Sequence, residues 1–137
     1  MNLKINPRII PKEIVKIAEA LAPHASYVVG GVVRDLAKSV LSGKSDWEKV
    51  LQDKDWDIAT ACHPEKVIKR VNRAGFAALP IGIEHGTVVV HGRRRNGKID
   101  PGRRYEVTTF RFDRVCDGRH AEIEFARTLE EDLARRD

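Results

Sequence analysis

Asp55 and Asp57, on either side of Trp56, are the residues of this chain best placed to do chemistry. Side chains alternate along a β-strand, so carboxylates at i and i+2 share one face. Two negative charges that close repel each other unless something offsets them, and a divalent cation does this well. Upstream, Tyr27-Val28-Val29-Gly30-Gly31-Val32-Val33-Arg34-Asp35 reads as a strand, a glycine turn and the start of a helix. That geometry brings backbone N–H groups and a helix N-terminus close to phosphates. The two segments together point to metal-assisted phosphoryl or nucleotidyl transfer, although an Asp-x-Asp pair or a glycine pair alone is common in every fold class.

A two-ion phosphoryl-transfer site holds its ions about 3.5–4 Å apart on shared ligands, which calls for a third carboxylate. Glu106, between Tyr105 and Val107 on a later strand, is the candidate; the competing reading is a cross-strand ion pair with nearby arginines. Arg34 can pair bidentately with phosphate oxygens; Asp35 can cap, approach the metal or brace Arg34, and bracing is the favoured reading. His85, within Gly82-Ile83-Glu84-His85-Gly86-Thr87, either touches substrate or satisfies a local hydrogen bond. His24, His63, His91 and His120 lack metal-ligand spacing, which argues against zinc. Arg93-Arg94-Arg95 with Arg103-Arg104 reads as a solvated hairpin tip or as an RNA contact.

These residues need elements to hold them. The apolar stripe Ile14, Ile17, Ala18 and Leu21 predicts a helix from Pro11 to Leu21. Ala25 to Val29 reads as a strand and Val32 to Leu41 as a helix. Ser42 to Lys54 is an inserted connection, with a short capped helix around Trp47, Val50 and Leu51. Strand Trp56 to Thr60 buries Trp56 and Ile58 and turns Asp55 and Asp57 outward. Pro64 to Val71 forms a helix that stops at Gly75. Strands follow at Ala77 to Leu79, Thr87 to His91 and Tyr105 to Phe110, the last two joined by a Gly/Asn/Pro-rich connection from Gly92 to Arg104. Phe112 to His120 reads as a loop and Glu122 to Phe125 as a further strand. Thr128-Leu129-Glu130-Glu131 is a capping box opening a last helix. Helices interleave with strands, but a long hairpin is present too. The expected class is therefore α+β, a mixed sheet of about five strands with helices packed on one face.

The length of 137 residues fits one domain. A 33% charged fraction beside 42% hydrophobic residues describes a water-soluble globular chain. No apolar run approaches the ~20 residues of a membrane span, and Met1 to Pro11 lacks the apolar core of a signal peptide. Cys62 and Cys116 have neither metal nor disulfide-framework spacing. Cytoplasmic residence is the expectation. The formal charge of +5 favours polyanionic partners such as nucleotides or RNA.

Read in order, the motifs resemble the head domain of the tRNA nucleotidyltransferase (CCA-adding enzyme) and bacterial poly(A) polymerase family, within the DNA polymerase beta-like superfamily. They are Gly30-Gly31-Val32-Val33-Arg34-Asp35, Asp55-Trp56-Asp57-Ile58-Ala59-Thr60, His85-Gly86-Thr87-Val88, Tyr105-Glu106-Val107-Thr108-Thr109-Phe110-Arg111, Asp117-Gly118-Arg119-His120, and the run from Leu129 to Arg136-Asp137. The resemblance implies that Asp55 and Asp57 hold Mg²⁺ and that Glu106 assists as third carboxylate. It implies that Gly30, Gly31 and Arg34 bind nucleotide phosphates, and that Arg136 and Asp137 contact the nucleotide near its sugar and phosphates. Arg111 to His120 would be a flexible loop that helps switch nucleotide choice. The implied reaction adds AMP or CMP, from ATP or CTP, to an RNA 3′ end, that of tRNA foremost. Residues 1–137 would then be a head domain ending before the neck and the tRNA-gripping helical domains, with a separate neck or body fragment as a partner. A rival reading is a nucleotide- or RNA-binding module without turnover; three retained carboxylates argue against it.

Overall fold

A computed structural model describes residues 9–43, 55–116 and 120–136. Helix α1 (Lys12–Leu21) begins after Pro11 and buries Ile14, Ile17 and Leu21, the stripe set by its helical spacing. Strand β1 (Ser26–Val29) leads through Gly30 into helix α2 (Gly31–Leu41). Strand β2 (Trp56–Thr60) is followed by helix α3 (Pro64–Arg73), which has proline in its first turn. Then come β3 (Ala77–Leu79), a 3₁₀ turn (Ile83–His85), β4 (Thr87–Arg93), β5 (Ile99–Thr109), β6 (Arg111–Cys116), β7 (His120–Phe125) and helix α4 (Leu129–Leu133).

Five strands form one sheet in the order β1-β2-β5-β4-β3. β2 and β5 are parallel; the other neighbours are antiparallel. This is the mixed sheet expected from the sequence. Trp56, Ile58, Val88, Val90, Tyr105 and Val107 pack against apolar residues of α1, α2 and α3. By alternation, Asp57 and Glu106 point to the opposite face, where among the described residues a small second cluster (Val29, Ala59, Phe110 and Ala126, with Leu129 against it) provides apolar cover. The sheet therefore spends one face on the core and keeps the other for the site.

Buried hydroxyls fix the strand register. Thr60 Oγ1 donates to the Ala25 carbonyl at 2.9 Å and accepts from the Cys62 N–H at 3.1 Å, and Thr109 Oγ1 donates to the Cys62 carbonyl at 2.6 Å. A one-residue slip would break the two bonds that cross between strands, Thr60 to Ala25 and Thr109 to Cys62, and turn Asp57 into the core. Helix α1 is tied to β5 by Tyr105 Oη, which donates to Glu13 Oε1 at 2.9 Å.

Two segments differ from the sequence expectation. The Gly92 to Arg104 connection is mostly strand: β4 runs on to Arg93, β5 starts at Ile99, and Arg94 N–H to Lys98 C=O at 2.8 Å closes the turn. Its residues are almost all exposed, so backbone pairing holds it without an apolar alternation to announce it. Phe112 to His120 is not a loop over its described part. β6 pairs antiparallel with β7, from Arg111↔Phe125 to Cys116↔His120. The charges in Arg111-Phe112-Asp113-Arg114 hid the strand, while Asp117-Gly118, a strong hairpin signal, stood in the sequence. The helix expected around Trp47 to Leu51 lies outside the described residues. Among the described residues no helix is long and apolar enough to cross a membrane.

Candidate active site

The parallel ladder sets Asp57 directly beside Glu106. Asp55, exposed, immediately precedes β2. The Asp57 carboxyl is pushed up to about 6, first by burial, then by the negative charge of Glu106 and a hydrogen bond to it; Arg136 pulls it down and Asp55 adds a smaller push. Three charged side chains, Glu106, Arg136 and Asp55, thus act on Asp57 near the start of β2. Two neighbouring carboxylates cannot both ionise freely without a positive partner. The competing reading of Glu106 is also met in part, since Arg104 Nη2 lies 3.2 Å from its Oε1. Both members of that pair are well exposed, so it contributes little.

Gly30 closes one side of this group. Its φ of 85° and ψ of −155° belong to a region open essentially to glycine alone. A Cβ there would sit 2.6 Å from Asp57 Oδ2. The backbone at the β1–α2 turn therefore approaches the carboxylate as no other residue type would allow. Arg34 follows on α2, its Nη2 3.5 Å from where a Gly31 Cβ would lie, so the guanidinium folds back over the turn. Asp35 Oδ1 is 3.4 Å from Arg34 Nε, the brace expected from the sequence. His85 is exposed and 3.6 Å from Glu84, and its backbone carbonyl accepts from Arg111 Nη1 at 2.8 Å.

Arg136 reaches the site from the chain's other end, and the residue that holds it was not foreseen. Asp132 is fully buried. It accepts from Arg136 Nε at 2.8 Å, Arg135 Nε at 3.1 Å and the Arg111 backbone N–H at 3.1 Å. Its carboxylate clamps the Arg-Arg pair and ties α4 to the start of β6. The signal was legible as Asp at i with Arg at i+3 and i+4 in a helical turn, but the adjacent capping box drew the reading; that cap is present, with Thr128 Oγ1 accepting from the Glu131 N–H at 3.3 Å. A cavity of about 610 Å³ opens between the glycine turn and α4, with Gly30, Gly31, Arg34 and Arg136 on its polar side. Asp137 lies outside the described residues.

Residues 26–137 match the poly(A) polymerase head domain family. The chain belongs to that family. It is 38% identical over 130 residues to the CCA-adding enzyme of Bacillus mycoides (strain KBAB4), covering 92% of this chain and 27% of that protein. With the CCA-adding enzyme of Bacillus cereus (strain B4264) it shares 40% identity over 116 residues, 83% of this chain and 23% of that protein. Its fold matches a crystal structure of the Bacillus stearothermophilus CCA-adding enzyme in complex with CTP, with a TM-score of 0.64 and 35% identity over 97% of this chain and 26% of the other. The chain thus spans about a quarter of the length of these relatives. The family match begins at β1 and takes in every site residue picked from the sequence, from Gly30 to Asp137.

The donor set suits a hard divalent cation. Among the described residues no three of His, Cys, Asp and Glu form a ready-made metal cage. Asp57 and Glu106, with Asp55 exposed just before β2, offer oxygen only. A magnesium-type ion held by one or two carboxylates, keeping waters or taking substrate phosphates as further ligands, needs no more.

Proposed function

We propose that this chain is the catalytic head of an RNA nucleotidyltransferase that moves AMP or CMP from ATP or CTP to an RNA 3′ end, as in tRNA CCA addition or polyadenylation. The observation that carries this reading is the Asp57–Glu106 carboxyl pair facing the Gly30 turn and Arg136. Asp55 and Asp57 are the proposed Mg²⁺ ligands and Glu106 the third carboxylate. When bound, such an ion neutralises charge on the phosphates and makes the attacking hydroxyl easier to deprotonate.

The protein groups position and neutralise. Backbone N–H groups at Gly30 and Gly31, with the Arg34 guanidinium, hold phosphate oxygens at the N-terminus of α2. Arg136, with Asp137 next to it, holds the nucleotide from the α4 side. The RNA 3′-oxygen bonds to the α-phosphorus as the bond to the pyrophosphate oxygen breaks, and the hydroxyl proton leaves toward the carboxylate cluster. Fixed charges act where negative charge develops on the transferring phosphorus. Residues 1–137 would form one head domain, cytoplasmic and working with neck and body segments supplied on the same or a separate chain.

The test is incorporation of labelled ATP or CTP into tRNA with Mg²⁺, with and without an added neck-and-body fragment. Asp57→Ala is expected to lower incorporation at least ~10²–10³-fold. RNA or nucleotide binding that ignores both metal and Asp57→Ala, with no incorporation under any condition, would make the chain a binding module instead.

A further inference from the structure

Six of the 25 Lys and Arg residues, and one of the 20 Asp and Glu residues, fall between 93 and 104. The whole formal excess of +5 therefore sits in the β4–β5 hairpin, and the rest of the chain is balanced. Local pairing does not cancel it. Arg103 lies 3.6 Å from Glu13 and 3.5 Å from Asp100, Arg104 lies 3.2 Å from Glu106 in an exposed pair, and Arg94 only reaches 4.0 Å from Asp100. Arg93 spends one Nη on the Gly97 carbonyl at 2.8 Å. Arg95 and Lys98 are exposed and, among the described residues, carry no ion pair. Guarding a sheet edge takes a charge or two; collecting a chain's entire surplus there calls for a polyanion.

We infer that the β4–β5 hairpin is a docking surface for the phosphate backbone of the acceptor RNA, upstream of its reacting 3′ end. This rests on the nucleotidyltransferase reading, because β5 carries both the hairpin and Glu106. At ~3.3 Å per residue, the strand from Ile99 to Glu106 spans roughly 23 Å. An RNA with its 3′ end at Glu106 that runs back along β5 meets the hairpin at phosphates about that far from the reacting nucleotide. Such contacts read charge and not sequence, so they set affinity for RNA and its salt dependence and leave nucleotide binding alone.

Arg95→Glu with Lys98→Glu tests this, beside Arg95→Gln with Lys98→Gln to separate lost attraction from added repulsion. Neither position supports the fold, and unchanged melting temperatures check that. Binding of a 3′-hydroxyl RNA stem with a single-stranded end is titrated from ~50 to ~200 mM salt. The glutamine pair should flatten the slope of log K against log salt by about 1.4–1.8, at ~0.7–0.9 per phosphate contact. The glutamate pair should weaken binding roughly tenfold or more near 0.1 M salt, alike for different RNA sequences. Mg²⁺-dependent ATP and CTP binding should match the wild type in both, so a failed nucleotide reading would show separately as absent ATP binding in the wild type. An unchanged slope, no RNA binding by the wild type, or anionic vesicles held through Arg95 and Lys98 while RNA is not, would each overturn the inference.

Discussion

Asp57 stands between two fates set by its neighbours. Alone in the folded protein it is held protonated up to about 6 by burial and by Glu106, against an ordinary value of 3.8. A raised carboxyl stabilises the fold fully below the unfolded value, and that contribution is lost as pH climbs through the folded one. With chelator present, wild-type stability should therefore fall between about pH 4 and 6, while Asp57→Asn should not show this fall. The full shift would be worth ~3 kcal/mol; partial exposure discounts it to roughly 1–2 kcal/mol. Chemical denaturation of both proteins at pH 4 and pH 7.5 checks this: equal differences at the two pH values would show that the carboxylates do not confront one another. The Asp-x-Asp pair was legible because strand periodicity alone puts its carboxylates on one face. The direct pairing of Asp57 with Glu106 was not, because it depends on β2 and β5 becoming parallel neighbours across intervening α3, β3 and β4.

Elements were legible where apolar spacing marks them, and lost where backbone pairing works without it. α1, α3 and β2 bury the residues their sequence periods select. β6 and the outer reach of the β4–β5 hairpin are charge-rich segments, so composition read them as connections, whereas the Glu122 to Phe125 part of β7 was legible as a strand. β6 matters to the site through its first residue, since the Arg111 N–H and both arginines of the α4 end share the Asp132 carboxylate. Asp132→Asn keeps one acceptor for that N–H but gives up the charge that holds two guanidiniums. Freed of its clamp, Arg136 would no longer pull Asp57 down. The KM for ATP or CTP should then rise on the order of tenfold, at ~1.5 kcal/mol for a charged hydrogen bond, and the acid limb of the pH–rate profile should move to higher pH. Asp132→Ala should do both more strongly and also lower stability by ~2–4 kcal/mol. A fall in melting temperature with KM and pH limb unmoved would make Asp132 a packing residue only.

At the scale of the whole molecule, the question is what about a quarter of a relative's length can recognise by itself. The cavity beside the carboxylates is polar where phosphates would lie, at Gly30, Gly31, Arg34 and Arg136. Its remaining walls include Val33, Leu129 and Leu133, with Tyr27 contributing the one hydroxyl. Such walls can pack on a base, but apart from Tyr27 and Arg135, whose Nε is taken by Asp132, they offer nothing to read its hydrogen-bonding edge. Triphosphate recognition should therefore be complete in this chain and base recognition nearly absent. Ligand that binds only the folded state stabilises by ~2.7 kcal/mol at a hundred times its Kd, roughly 10 °C for a domain of this size. With Mg²⁺ present, ATP, CTP, GTP and UTP should raise the melting temperature by similar amounts, within a degree or two at matched concentration. Gly30→Ala should abolish the response to all four, because an alanine at that φ and ψ costs ~1–3 kcal/mol and drives its Cβ onto the Asp57 carboxylate. If ATP and CTP stabilised the chain strongly while GTP and UTP did not, the base would be read within this fold, and the apolar cavity walls could not be what meets it.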